Sequence, residues 1–201
     1  MAGTMPHAVF VETDLPGGVA AYAAELPGCA AFAESDSEAV AAIPRRVSRF
    51  GDWLRSAGEE APRFEGGSWY EVERASGGAQ RAVFSLDALP PSEDELARWM
   101  RWLELAREEL ADALDHSGGS RAAARLATIA EQDRAFAGEL GAAPPPMAGD
   151  PVADLYATRD VLTDALLAAG ASADGVRGVL RIAIADDLHL AELLRAGDVT
   201  S

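Results

Sequence analysis

A histidine, a threonine and several carboxylates that interrupt apolar helical stripes are the residues of this chain best placed to do chemistry. Across residues 175–195, Val176, Val179, Leu180, Ala183, Ile184, Leu188 and Ala191 recur at three- and four-residue steps, which predicts an amphipathic helix. Asp186, Asp187 and His189 break into that run. Asp186 and His189 lie three apart, so one helix face presents both, with the carboxylate able to orient the imidazole for proton transfer near neutral pH. A second stripe reads Leu126, Ala127, Thr128, Ile129, Ala130, Glu131, Gln132, Asp133. Thr128 and Gln132 fall one turn apart on one face, with Glu131 beside them. Facing one another across a helix bundle, these residues would line a pocket for a small organic ligand. His189 would be its acid/base group, Thr128, Glu131, Gln132 and Asp186 its hydrogen-bonding partners, and Trp99 an aromatic wall. A plainer alternative makes His189 a core histidine bonded to Thr128 or Gln132 in a bundle that is only a scaffold.

One turn before His189 stands Ala185. A histidine there would complete a two-nitrogen metal clamp, so its absence weighs against a metal centre. The Thr128 hydroxyl is a poor zinc ligand, which leaves Glu131 or Asp186 as oxygen donors beside a single imidazole. His116, at the end of a predicted helix, and His7, in a predicted strand, are not placed to join them. The pocket is therefore expected to need no cofactor, with a one-histidine divalent-metal site as the alternative.

Charge removes whole classes of partner. The chain of 201 residues carries 33 acidic and 17 basic side chains, a formal net charge of −16. Nucleic acid and anionic membrane surfaces both need clustered cations, so neither is expected as a partner. Every basic residue is Arg, and the absence of Lys excludes a lysine Schiff base, a pyridoxal phosphate anchor and a P-loop lysine. Cys29 is the single cysteine, which rules out an internal disulfide and a multi-thiolate zinc site; alone, it reads as a small buried hydrophobe. No apolar run reaches the roughly 20 residues of a membrane span. Residues 1–11 have neither a basic start nor a continuous apolar stretch, so a cytoplasmic location is expected. At 49% hydrophobic residues, the length suffices for one sizeable domain or two small ones.

An α+β fold must position these side chains. Residues 7–12, 17–25 and 29–33 read as strands of a small β-meander, with a first turn at Leu15-Pro16-Gly17-Gly18. Asp36 or Ser37 caps the following helix, which needs a kink or a restart at Pro44 and turns Val47, Phe50, Trp53 and Leu54 to the strands. Residues 68–74 and 80–86 flank Ser76-Gly77-Gly78-Ala79 in the pattern of a β-hairpin. After Pro90-Pro91, Ser92 and Glu95 form a capping box that opens the first of four helices. The second is capped by Ser120 and stopped by Gly141; the third is capped by Asp150, with Pro151 in its first turn, and stopped by Gly170. The fourth is the stripe at 175–195. The predicted organisation is a sheet-and-helix module at 1–60, a hairpin connector at 61–91 and an up-down four-helix bundle at 92–201. Open sheet edges in the first part need covering, which a homodimer would provide.

The phrase Leu26-Pro27-Gly28-Cys29, set among strands and followed by a helix opening Asp36-Ser37-Glu38-Ala39-Val40, resembles the HicB-like module of bacterial antitoxins over residues 7–57. No DNA-binding segment of the kind some such antitoxins carry is identified. Residues 92–201 resemble the DinB-like (YfiT-like) family of four-helix bundle proteins, which includes thiol-dependent transferases and isomerases. The family's Leu-x-His-Ile stands here as Leu126-Ala127-Thr128-Ile129, and its His-Glu-x-x-His as Ala185-Asp186-Asp187-Leu188-His189. Of the three metal-binding histidines that the resemblance implies, only His189 is present. The expectation is a metal-independent DinB-like protein with an internal pocket for a small organic ligand and acid/base catalysis through His189. The alternatives are a divalent-metal-dependent thiol transferase or hydrolase, and a non-catalytic interaction or scaffold protein.

Overall fold

Apolar side chains occupy both faces of the N-terminal strands, so the sheet they form needs two covers. The computed structural model describes residues 7–62, 68–78, 81–117 and 122–198. Its strands are β1 (His7–Leu15), β2 (Gly18–Ala23), β3 (Ala30–Ala33) and β4 (Trp69–Ser76). Its α-helices are α1 (Asp36–Ser56), α2 (Glu93–Ser117), α3 (Ala123–Glu139), α4 (Pro151–Ala169) and α5 (Val176–Ala196), and a short 3-10 turn occupies Ser85–Ala88. The fold is α+β, and the sheet order is β3-β2-β1-β4. Val9, Val11, Ala21 and Ala23 pack with Ile43, Val47, Phe50 and Leu54 of α1. Phe10, Ala20 and Tyr22, on the opposite face, pack with Phe84 and with Ala185 of α5.

Among the described residues the predicted hairpin does not form; residues 79–80 of it lie outside them. β4 joins β1 in parallel, a pairing that requires a crossover, and α1 lies within the connection between them. The second half of the supposed hairpin is not a strand, because side chains take its backbone groups. The Ala82 amide donates to the Glu12 carboxylate at 2.7 Å, and the Ala82 carbonyl accepts from Arg181 at 2.8 Å. With those bonds made, the stretch has no need of a ladder.

Helix α1 runs through Pro44 without a restart. The proline sits on the exposed face of the helix. Its N-cap is Ser35 rather than Asp36 or Ser37, with the hydroxyl accepting from the Glu38 amide. The Ser92–Glu95 box is formed as expected: the Glu95 carboxylate accepts from the Ser92 amide at 2.8 Å, and the Ser92 hydroxyl accepts from the Glu95 amide at 3.2 Å. Asp150 caps α4, and Gly170 closes it at φ 68°. The Ser120 cap lies outside the described residues.

Helix α2 packs along α5 and α3 along α4, while α3 also meets α5. The cluster that begins at the sheet continues through Trp102 and Leu103 of α2, Leu162 and Leu166 of α4, and Leu180 and Ile184 of α5. A second cluster, with Leu110, Leu126, Leu155 and Leu190 at its centre, fills the far end of the helices. No helix among the described residues is long and apolar enough to cross a membrane.

The Leu26-Pro27-Gly28-Cys29 turn seats the sheet on α5. Gly28 adopts φ 89°, and a Cβ there would fall on the Ile184 side chain. Gly28→Ala is therefore expected to destabilise the protein by about 1–3 kcal/mol, through backbone strain and overpacking together. Urea unfolding would read this as a lower midpoint at unchanged slope.

Candidate functional site

Asp186 on α5 does not stand beside a ligand cavity; it is the partner of Arg81. The Arg81 Nη1 donates to both Asp186 oxygens at 2.8 and 2.6 Å, and its Nε donates to the Glu12 oxygens at 3.0 and 3.2 Å. Nη2 donates to Glu12 at 3.2 Å and to the Tyr22 hydroxyl, which in turn donates to Glu12 at 2.7 Å. Gln132 Nε2 donates to Asp186 at 3.1 Å. Glu12 and Tyr22 are fully buried, and burial raises the Tyr22 phenol above its ordinary range. The network joins β1, β2, α3 and α5, and its hydrogen-bonding capacity is spent inside the protein.

The other residues predicted for the site do not converge with His189. Thr128 is exposed and donates to the Ala124 carbonyl of its own helix at 3.0 Å. Glu131 is exposed and pairs with Arg134 at 3.4 Å. Trp99 is buried in the core, with the Arg177 guanidinium 4.5 Å from its ring centre. His7 stacks on Trp69 at 4.5 Å, and His116 Nδ1 lies 2.6 Å from the Asp112 carbonyl. Among the described residues, no three His, Cys, Asp or Glu side chains gather as a metal-binding group. The donors proposed to rebuild a metal centre are accordingly a poor fit: Asp186 is held by Arg81, and Glu131 is turned to solvent.

His189 itself lines a half-open cavity of about 140 Å³ bordered by the β2–β3 turn and β3, α1, the C-terminal half of α5 and Glu109 of α2. Its ring stacks on Phe32 of β3, with centroids 4.0 Å apart and planes 16° apart. Gly28, Ala30 and Ala185 keep the adjoining wall small, Leu188, Phe50 and Trp53 add apolar surface, and Cys29 contributes its thiol. Burial pushes that thiol up to about 12, so it is neutral and a poor nucleophile. Ion pairs flank the cavity: Arg46 of α1 with Glu192 of α5, and Arg195 of α5 with Glu109 of α2. Arg49 of α1 also lines it and is exposed. Sequence reasoning missed Phe32, Arg46 and Arg49, because they belong to the N-terminal half and meet His189 only through the tertiary fold.

A second polar centre lies among the helices, one residue from each: Arg107 of α2, Asp133 of α3, Arg159 of α4 and Asp187 of α5. Arg159 Nη2 donates to Asp187, and its Nε lies 3.5 Å from Asp133 Oδ2. Burial raises Asp133 to about 6 against the pull of Arg159 and Arg107, and burial lowers Arg159 to about 10. All four charges interrupt apolar stripes in core phase, as Asp133 does after Leu126, Ile129 and Ala130. That phase is a signal present in the sequence.

Comparisons with family models, with curated proteins and with solved structures return no match for this chain.

His189 is neutral at pH 7. Burial lowers its pKa to about 4, opposed by Asp186 and assisted by Arg125 and Arg46. Because the unfolded chain takes up this proton near pH 6.5 and the folded chain only near 4, the histidine's contribution is complete above pH 6.5. It is lost as pH falls through 4, to the extent of about 3 kcal/mol. Asp133 acts in the opposite sense, since its folded pKa is raised and its penalty is relieved as pH falls through 6. NMR titration should place the His189 midpoint below 5, and Phe32→Ala, by admitting water, should move it toward 6.5. A wild-type midpoint near 6.5 would contradict the buried stack.

Proposed function

We propose that this protein binds a small organic molecule in the cavity between β3, α1 and α5, with the paired rings of Phe32 and His189 as its floor. The observation that carries the reading is that stack, 4.0 Å between centroids, lying against apolar walls in a cavity of about 140 Å³. A space of roughly that size accepts a single six-membered ring. A neutral imidazole beside an aromatic ring gives a ligand both a π-face and a hydrogen-bonding edge. With its pKa near 4, His189 is unprotonated at pH 7 and cannot act as a general acid from that state. Binding is thus the primary role, and proton transfer by His189 would be that of a weak base. The reading requires no metal.

In the same proposal, α2–α5 are a four-helix bundle of the DinB-like kind, its polar centre rebuilt from Arg107, Asp133, Arg159 and Asp187. The sheet and α1 are the HicB-like module, whose role is to supply the cavity's second wall. The protein is read as cytoplasmic.

A fragment screen by ¹H–¹⁵N NMR on the full chain tests this. Ring-sized fragments should perturb amides around Ala30, Phe32, Leu188 and His189, and Phe32→Ala and His189→Ala should each weaken the best fragment by about tenfold or more. Hits confined to another surface, or an unchanged affinity in both variants, would sink the proposal.

A further inference from the structure

We infer that the occupant of this cavity is a carboxylate: a flat, ring-sized organic anion whose acid group is held by Arg49 while its ring lies on Phe32 and His189. The inference rests on the ligand-binding reading above and adds the ligand's charge.

Five ionised side chains line the cavity, three arginines and two glutamates. Both glutamates are already committed. Glu192 takes both of its contacts from Arg46 Nη1, and Glu109 accepts from Arg195. Among the described residues, Arg49 has no hydrogen-bond or ion-pair partner, so the cavity carries one positive charge in excess. His189 adds none, being neutral at pH 7.

The placement of that charge is informative against the rest of the molecule. With a net charge of −16, the protein repels anions at most of its surface. Arg45, Arg46 and Arg49 follow one another on α1, and Arg46 and Arg49, three apart, share a helix face toward the cavity. Arg195 meets them from α5. Three of the chain's 17 arginines therefore surround a single cavity of about 140 Å³. A guanidinium presents paired N–H groups that match the two oxygens of a carboxylate, whereas an amide of the same shape offers one acceptor and two donors that an arginine cannot use. The apolar floor and the cationic rim thus select for opposite ends of one molecule.

Benzoate and benzamide, equal in size and differing in the charged group, are the probes. Each is titrated by NMR into the full-length protein at low salt, and into Arg49→Gln, whose exposed position makes the substitution safe for the fold. Benzoate should bind at the cavity residues about tenfold or more tighter than benzamide. The preference should shrink in Arg49→Gln and with added salt. Equal binding of both probes at the cavity, or a preference untouched by Arg49→Gln, overturns the carboxylate inference and leaves the pocket reading standing. Failure of both probes to perturb the cavity residues while other neutral ring-sized fragments do so also overturns it. Failure of every ring-sized compound there overturns the pocket reading itself.

Discussion

A buried guanidinium holds this structure together. Arg81 sits between β1, β2 and α5 and spends all of its donors on Glu12, Tyr22 and Asp186. Removing such a charge from water costs several kcal/mol, and only complete hydrogen bonding repays it. Two carboxylates against one arginine leave a surplus negative charge, which the Tyr22 hydroxyl, the Ala82 amide and the Gln132 amide group absorb as donors. The geometry is therefore demanding, and it fixes α5 against the sheet at a single rotation and height. His189 lies three residues after Asp186, so the clamp that holds Asp186 also brings the imidazole under Phe32.

The helices carry a second set of buried charges on different terms. Arg159 and Asp187 are bonded, yet Asp133 Oδ2, Arg159 Nε, Asp187 Oδ2, and the Nε and Nη2 of Arg107 have no hydrogen-bond partner among the protein's groups. A buried polar atom left so costs about 1–3 kcal/mol, offset in part where Arg159 Nε and Asp133 Oδ2 still attract each other at 3.5 Å. The consequence is visible in the protonation equilibria, with Asp133 raised and Arg159 and Arg107 lowered, each chiefly by burial. The clamp at Arg81 is a rigid joint, whereas this centre is a place where the interior is held with energy in hand, and Asp133 takes up a proton there within reach of neutral pH.

Local chemistry was legible at most helix ends, though not at α1, where Ser35 takes the cap expected of Asp36 or Ser37. The Ser92–Glu95 box, the Asp150 cap with Pro151, and the Gly170 stop all form from contacts between residues two to four apart. The strand order was not legible, because β4 pairs in parallel with a strand some sixty residues earlier, and nothing in Trp69–Ser76 distinguishes that partner from a hairpin mate. Site residues failed for the same reason. Asp186 and His189 share a helix face as their spacing requires, but the spacing is silent about Arg81, which claims the aspartate, and about Phe32, which meets the histidine. Thr128 and Gln132 are one turn apart, yet Gln132 reaches Asp186 while Thr128 faces water, since Gln132 lies roughly 40° nearer the apolar stripe and has the longer side chain.

Why the cavity lies at the junction of sheet and helix, and not among the helices, follows from what fills each place. Between the helices, the level that a ligand would occupy is taken by the Arg107, Asp133, Arg159 and Asp187 side chains, with leucines closing the space at the far end. At the junction the turn must come close to α5, and Gly28 permits this, bringing backbone where a side chain would otherwise sit. Beside it, Ala30 and Ala185 are too small to fill the gap left by that approach, while the Phe32–His189 stack is thick enough to hold it open. A close contact next to a propped one leaves a void, and arginines on α1 and α5 give that void its charge. The same residues that join the two halves of the protein thus create the space in which a ligand would lie.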